Sequence, residues 1–314
     1  MLKTPEFSVV IPVFNKAKHV AVMLRSVLAQ DFMNFEIIVV NDGSTDKSMQ
    51  IIHDFSDARI KILDQENHGL SHARNTGIAA AEGRIIALLD ADDRWKPEHL
   101  KNLHFLVNNF PQADLFGAAY EEFFANGNVI IPQINHLESI EKPHIITDFF
   151  KANMQQPLVA PSSFAFRRSI IEEIGGFDTA ITYSEDVDFY IRANLKYRFA
   201  YHPQVTCSYT MQAENQITRS KKSERIIPDF QKYLDENPKN ISLRNYINLK
   251  RYFLAIFYKV ESRPDLFRAM RKKIDTKLLT SKQRQLLNAP KHLVLTLRFI
   301  KDYILKKGKR LTSF

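Results

Sequence analysis

The sequence predicts an α/β fold: a mainly parallel sheet flanked by helices, then a mixed half, then a helical C-terminal extension. Three observations predict it. Residues 7–11, 35–40 and 85–89 are nearly unbroken apolar runs, too short for helices and typical of strands covered on both faces. The segments between them carry apolar residues at helical spacing, which gives a β-α-β-α-β order and hence parallel pairing. Turn formers and acids cluster directly after the runs, where open α/β sheets bind ligands.

A chain of 314 residues holds one large domain or two modest ones, with ample core. Its 45% hydrophobic and 25% charged content is that of an ordinary globular protein. Cys207 is the single cysteine, which excludes an intrachain disulfide and a cysteine-built metal cage and fits a reducing compartment. A secretory leader is not expected, because the apolar core Val9-Val10-Ile11 is short and Pro12 ends it. No apolar run reaches the roughly 18 residues of a membrane span. The net charge of +9 hides an asymmetry: residues 1–215 hold 19 basic and 27 acidic side chains, residues 216–314 hold 25 and 8. An acidic body with a basic extension implies two parts with different partners.

The first strand is followed by Pro12-Val13-Phe14-Asn15, where a dinucleotide fold would place its glycine-rich turn. The lack of glycine argues against a Rossmann cofactor site. Val20, Met23, Leu24, Val27 and Leu28 share one face of a helix over about 18–30. The second strand delivers Asn41-Asp42-Gly43-Ser44-Thr45-Asp46. Asp42-Gly43 reads as a turn and Ser44 or Thr45 as the N-cap of a helix burying Ile51, Ile52 and Phe55. Alternatively the Asp42 carboxylate accepts a hydrogen bond from a flat ligand over the strand ends, such as the imide N–H of uracil. Residues 59–63 form a short peripheral strand. From about Ser71 to Ala81 a helix presents small residues to the sheet and closes at Glu82-Gly83. On it, Arg74 is either a surface salt-bridge partner or a sensor of the nucleotide end of a site. His68 and His72 read as surface or structural groups.

The strand at 84–89 then meets Asp90, Asp92 and Asp93. Carboxylates this close repel one another, and protonation of one or a cation among them relieves the repulsion. A hard divalent cation suits carboxylate oxygens. A turn into a helix starting near Pro97-Glu98 explains the same residues without a ligand.

At this point the chain resembles family 2 glycosyltransferases. The resemblance rests on Ser8-Val9-Val10-Ile11-Pro12-Val13-Phe14-Asn15, Val40-Asn41-Asp42-Gly43-Ser44-Thr45-Asp46, Gly69-Leu70-Ser71-His72-Ala73-Arg74-Asn75-Thr76-Gly77 and Asp90-Ala91-Asp92-Asp93, in that order. It covers residues 7 to about 210. It implies a GT-A fold with a nucleotide-binding half at 1–93 and an acceptor half at 94–215, ahead of a basic helical extension at 216–314. It also implies metal-dependent, inverting transfer of a sugar from a nucleotide-sugar, with Mn²⁺ or Mg²⁺ held by Asp92 and Asp90. The expected donor-binding residues are Pro12, Val13, Phe14, Asn15, Asp42, Gly69, Arg74, Asp90, Ala91 and Asp92. Many relatives complete the metal shell with a histidine after a later acidic helix. Cys207-Ser208-Tyr209-Thr210-Met211-Gln212 occupies that zone without one, and His202 is the candidate nearby.

In the second half, residues 115–125 and 128–131 around Asn126-Gly127 read as a β-hairpin. Residues 133–157 are weakly patterned, 162–166 form a strand, and 170–174 form a short helix stopped by Gly175-Gly176. Ser184 is expected to cap a helix whose first turn holds Glu185 and Asp186, where acids are favoured, with Asp188 and Arg192 an i,i+4 pair. The segment looks like the family's Glu-Asp motif, whose Asp is the general base. That resemblance gives Asp186 the base role, with Glu185 beside it.

In the extension, Tyr246, Leu249, Tyr252, Phe253, Ile256 and Phe257 form an apolar stripe expected to pack on the body. The last helix carries Leu293, Leu297, Ile300 and Ile304 at helical spacing, with Lys301, Lys306, Lys307, Lys309 and Arg310 at its end. It reads as a solvated appendage or as an element drawn to an anionic membrane surface, which suits a lipid-linked acceptor. Nucleic acid is not an expected partner: no motif is present and the acidic body repels it. The expected enzyme is cytoplasmic, peripheral at the inner face of the membrane, and builds a surface polysaccharide or glycolipid. Two other readings stand beside it. A nucleotidyltransferase needs amides and a basic residue around a triphosphate after the first strand, and residues 14–18 offer lysines but no glycine loop. An inactive nucleotide-sugar-binding module has no use for Asp92 and Asp186.

Overall fold

Among the described residues, ten strands form one sheet: β1 (Phe7–Val13), β2 (Phe35–Asp42), β3 (Ile60–Gln65), β4 (Ile85–Leu88), β5 (Arg94–Trp95), β6 (Leu115–Phe123), β7 (Val129–Ile130), β8 (His144–Ile146), β9 (Phe164–Arg167) and β10 (Phe199–Thr210). This computed structural model describes residues 4–135, 141–211, 213, 214, 216–308 and 310, without the side chains of Arg219 and Lys306. The sheet order is β3-β2-β1-β4-β9-β6-β10-β5, with β7 on β6 and β8 on β10. β1 pairs in parallel with β2 and β4, and β2 with β3. β9 then runs antiparallel between β4 and β6, so the sheet turns mixed where the second half begins. β3 lies at the edge, as its half-polar sequence predicts.

The two faces of the sheet bury two apolar clusters, because strand side chains alternate. Val9, Ile11, Ile37 and Val39 point into one cluster, and Val10, Ile38 and Val40 into the other. Helix Val20–Leu28 covers the first with Val20, Met23, Leu24 and Val27. Helix Leu70–Ala79 covers the second, and it does so at close range. A Cβ on Gly77 would stand 2.4 Å from Val10 Cγ1 and 3.2 Å from Val40 Cγ2, which is why this helix carries small residues.

Several local expectations change. The helix after β2 starts at Ser48, not at a Ser44 or Thr45 cap, because Asp46 Oδ1 accepts the Ser48 N–H at 2.8 Å and holds a longer loop. The hairpin β6–β7 is present, with Asn126-Gly127 in its turn. The weakly patterned region contains β8 and helix Phe149–Ala152, while residues 136–140 lie outside the described ones. β10 contains Pro203, tolerated because the register shifts between His202 and Val205.

The extension does not stand apart from the body. Helix Ile241–Val260 buries Tyr246, Leu249, Tyr252 and Ile256 in the second cluster, with Phe150 and Tyr246 ring centroids 5.6 Å apart. Helix Lys291–Lys306 is anchored through fully buried Val294, whereas Leu293 and Ile300 of the expected stripe are exposed. Arg310 pairs with Glu122 of β6. The Lys306 side chain, Lys309 and Gln212 lie outside the described residues. Among the described residues no helix is long and apolar enough to cross a membrane.

Candidate active site

Because β1, β2 and β4 are parallel neighbours, Pro12-Val13, Asp42 and Asp90 emerge along one sheet edge. Phe14 is half-exposed there. Asn15 adopts a left-handed φ of +52°, a conformation asparagine tolerates better than most residues. Its Oδ1 accepts the N–H groups of Thr45 at 2.8 Å and Asp46 at 3.2 Å, so it fixes the loop after β2. The Asp42 carboxylate is buried. Oδ1 accepts Gln65 Nε2 at 2.7 Å and the His68 N–H at 2.9 Å, and Oδ2 accepts the Gly69 N–H at 2.9 Å. Gly69 sits at φ +89°, which only glycine adopts without cost. Asp42 thus shapes the loop that starts helix Leu70–Ala79. His72 is structural, its Nδ1 3.0 Å from Gln65 Nε2.

The three acids after β4 are relieved one by one. Asp90 Oδ1 accepts Arg74 Nη2 at 2.8 Å. Asp92 Oδ2 accepts Lys16 Nζ at 2.6 Å. Asp93 is buried and accepts Ser162 Oγ at 2.5 Å and the Thr210 N–H at 2.7 Å. Burial, with the charges of Asp92 and Asp90 added, pushes its carboxyl well above the usual range. Ala91 between them is buried.

Arg74 is the centre of the arrangement and corrects the surface-bridge expectation. It is 1% exposed, stacks 5.1 Å from the Phe177 ring, and donates Nη1 to Glu185 Oε1 at 3.0 Å. Burial opposes its charge, but Asp90 and Glu185 outweigh burial and raise its pKa. One guanidinium therefore joins the acids after β4 to the acids that open helix Glu185–Asn194. Burial and the neighbouring Asp186 charge push Glu185 up to about 7 against the pull of Arg74.

Ser184 does not cap that helix with its side chain. It takes a left-handed φ of +64°, and the Asp186 carboxylate instead accepts the N–H of Val187 at 2.8 Å. A non-glycine residue in that region costs about 1–3 kcal/mol, a strain that gathers at functional sites. Asp188 and Arg192 form the expected pair at 2.8 Å, and the Tyr233 hydroxyl donates to Asp188. Asp186 also acts on the extension: its charge adds to burial in raising the Tyr246 phenol, and opposes burial at Lys250. Nothing in the sequence pattern places helix Ile241–Val260 within electrostatic reach of Asp186.

A cavity of about 340 Å³ lies beside Asp92, lined by His19, Asp93, Phe123, Thr210 and Glu214 among others. Among the described residues no three metal-type side chains converge. His202 is not near: it contacts Asn102 of helix His99–Asn109 and Gln204. Asp90, the other expected metal ligand, is held by Arg74, so a divalent cation at Asp92 would have one protein carboxylate and would draw the rest of its shell from phosphate oxygens and water, as Mg²⁺ sites allow. It would meet the Lys16 amine there. Lys16, Ser162 and Thr210, which bond the acids after β4, and Lys250, within electrostatic reach of Asp186, are residues that sequence reading did not single out. Lys16 alone left a trace, as a lysine directly after the Asn15 turn.

A model described as glycosyl transferase family 2 matches residues 8–175. The chain belongs to that family. Among curated relatives, an uncharacterized glycosyltransferase of Nostoc sp. is 32% identical over 180 residues, 55% of this chain and 54% of that one. The uncharacterized glycosyltransferase EpsJ of Bacillus subtilis is 31% identical over 193 residues, 60% of this chain and 56% of that one. The chain thus spans little more than half the length of these relatives. TarS of S. aureus, solved with UDP-GlcNAc, superposes with a TM-score of 0.68 at 20% identity, over 97% of this chain and 92% of that one. The mannosyltransferase PcManGT of Pyrobaculum calidifontis, solved with GDP-Man and Mn²⁺, superposes with a TM-score of 0.57 at 17% identity, over 96% of this chain and 81% of that one. At these identities the superpositions speak for the fold, and the fold is of the GT-A type. The four sequence stretches named above lie within or overlap the family match.

Proposed function

We propose that this family 2 glycosyltransferase is a metal-dependent, inverting enzyme that moves a sugar from a nucleotide-sugar, probed first as UDP-linked, to a hydroxyl of a glycan or lipid-linked acceptor in surface polysaccharide or glycolipid synthesis. One observation carries the reading: Arg74 holds Asp90 at 2.8 Å and Glu185 at 3.0 Å. Acids from two distant stretches of chain therefore meet on one guanidinium, and the reading assigns Asp92 to the donor side and Asp186 to the acceptor side.

Asp42 Oδ2 has acceptor capacity beyond the Gly69 N–H, since a carboxylate offers about four lone-pair sites, and an imide N–H is a suitable donor. Pro12, Val13, Phe14 and Asn15 wall the base side, and Gly69 and Ala91 leave room for backbone approach. Asp186 takes the proton of the acceptor hydroxyl, a contribution of typically about 10²–10⁴ in rate. Glu185 keeps Arg74, and with it Asp90, in position. With no enzyme nucleophile invoked, the hydroxyl displaces the diphosphate directly and inverts the anomeric carbon. A divalent cation at Asp92, Mn²⁺ or Mg²⁺, would neutralise charge on the leaving diphosphate.

A second partner is an anionic membrane at the cytoplasmic face. Leu293, Phe299 and Tyr303 are 44%, 73% and 54% exposed on the last helix of a basic extension, an apolar and cationic combination suited to such a surface.

The test is a panel of UDP-, TDP- and GDP-sugars with Mn²⁺ or Mg²⁺, read by nucleoside diphosphate release. One donor should be consumed, and Asp186→Asn should lower transfer by about 10²–10⁴ while donor binding persists. No release with any donor, or undiminished transfer by Asp186→Asn, overturns the proposal.

A further inference from the structure

The Lys16 ammonium sits 2.6 Å from Oδ2 of Asp92, the carboxylate that the donor reading offers to a metal ion. The two side chains are 12% and 8% exposed, so solvent screens their attraction less than at an open surface. Lys16 is also fixed from both ends. Its N–H donates to Ser48 Oγ at 2.8 Å, and its Nζ donates to the Glu214 carbonyl at 3.0 Å. The amine is therefore built into the site and does not sweep solvent. An ammonium and a divalent cation on one carboxylate compete, because each binds through the same negative charge.

We propose that Lys16 is a resident counter-ion that closes the Asp92 cation position in the nucleotide-free protein, so that metal binding requires its displacement. A diphosphate arriving at the site supplies two things. Its oxygens add ligands to the metal, and its negative charge accepts the displaced amine. Metal and nucleotide then bind cooperatively, each weakly without the other. This inference rests on the assignment of Asp92 to the donor side.

The experiment titrates Mn²⁺ into purified protein and follows free Mn²⁺ by electron paramagnetic resonance, with and without UDP or GDP. Without nucleotide, Lys16→Met should bind Mn²⁺ at least about tenfold more tightly than wild type, because the competing charge is gone. Lys16→Arg keeps the charge and should stay weak. With nucleotide, wild type should gain most and the gap should narrow. Equal or weaker Mn²⁺ affinity of Lys16→Met without nucleotide overturns the counter-ion role, while nucleotide-dependent Mn²⁺ binding by all forms leaves the donor reading standing. Failure of every form to bind Mn²⁺, with either nucleotide, overturns the donor reading and this inference together. Should Lys16→Met not fold, wild type decides alone: Mn²⁺ affinity indifferent to nucleotide overturns the inference.

Discussion

Arg74 is the side chain whose removal reaches furthest. It is buried and pairs with two carboxylates, Glu185 buried and Asp90 partly exposed. Arg74→Met leaves Asp90 and Glu185 facing each other without a counter-charge, and breaking such a buried set costs about 3–5 kcal/mol. Urea unfolding should show that loss. Arg74→Lys should recover little of it, since one ammonium cannot replace a planar fork reaching two acids. The sequence shows an arginine on a helix of small residues. It cannot show that the acids on either side of that guanidinium come from 16 residues away and from 111 residues away.

At the scale of elements, strands β1, β2 and β4 and the helices between them follow from periodicity, because buried strands and amphipathic helices write themselves locally. Helix Glu185–Asn194 is legible as a helix but not in how it starts, because the left-handed φ of Ser184 exists only in the folded backbone. β10 was hidden by Pro203, which only a register shift accommodates. Helix His99–Asn109 gives a pH test. His99 is fully buried, stacks 4.4 Å from Trp95 and lies 2.8 Å from Thr206 Oγ1. Burial, aided by His202, lowers its pKa to about 3. The unfolded chain takes up this proton near 6.5 while the folded one refuses it, so stability falls as pH drops below that value and continues to fall toward about 3. The slope from one such group is about 1.4 kcal/mol per pH unit. His99→Phe keeps a ring on Trp95 and cannot titrate. Its unfolding free energy between pH 6 and 4 should fall less steeply than that of wild type by up to that slope, as urea titrations at each pH would show.

At the scale of the whole molecule, the basic extension serves two ends. Its long helix completes an apolar cluster of the body and comes within electrostatic reach of Asp186. Its last helix turns Leu293, Phe299, Ile300 and Tyr303 to solvent. Phe299→Glu with Tyr303→Glu should reduce flotation with anionic liposomes several-fold and leave donor hydrolysis intact, since removing apolar contact and adding negative charge both weaken attachment to that surface. Equal flotation of wild type and variant would remove the membrane from the account.

What the sequence by itself determined is everything carried by local periodicity and short motifs: the parallel half, the acids at its strand ends, the Glu-Asp helix and the family. What only the tertiary structure decided is which charge answers which. Lys16 on Asp92, Arg74 between Asp90 and Glu185, and helix Ile241–Val260 beside Asp186 are encounters between residues far apart in the chain. Their strength depends on distance and burial, and neither quantity exists until the chain has folded.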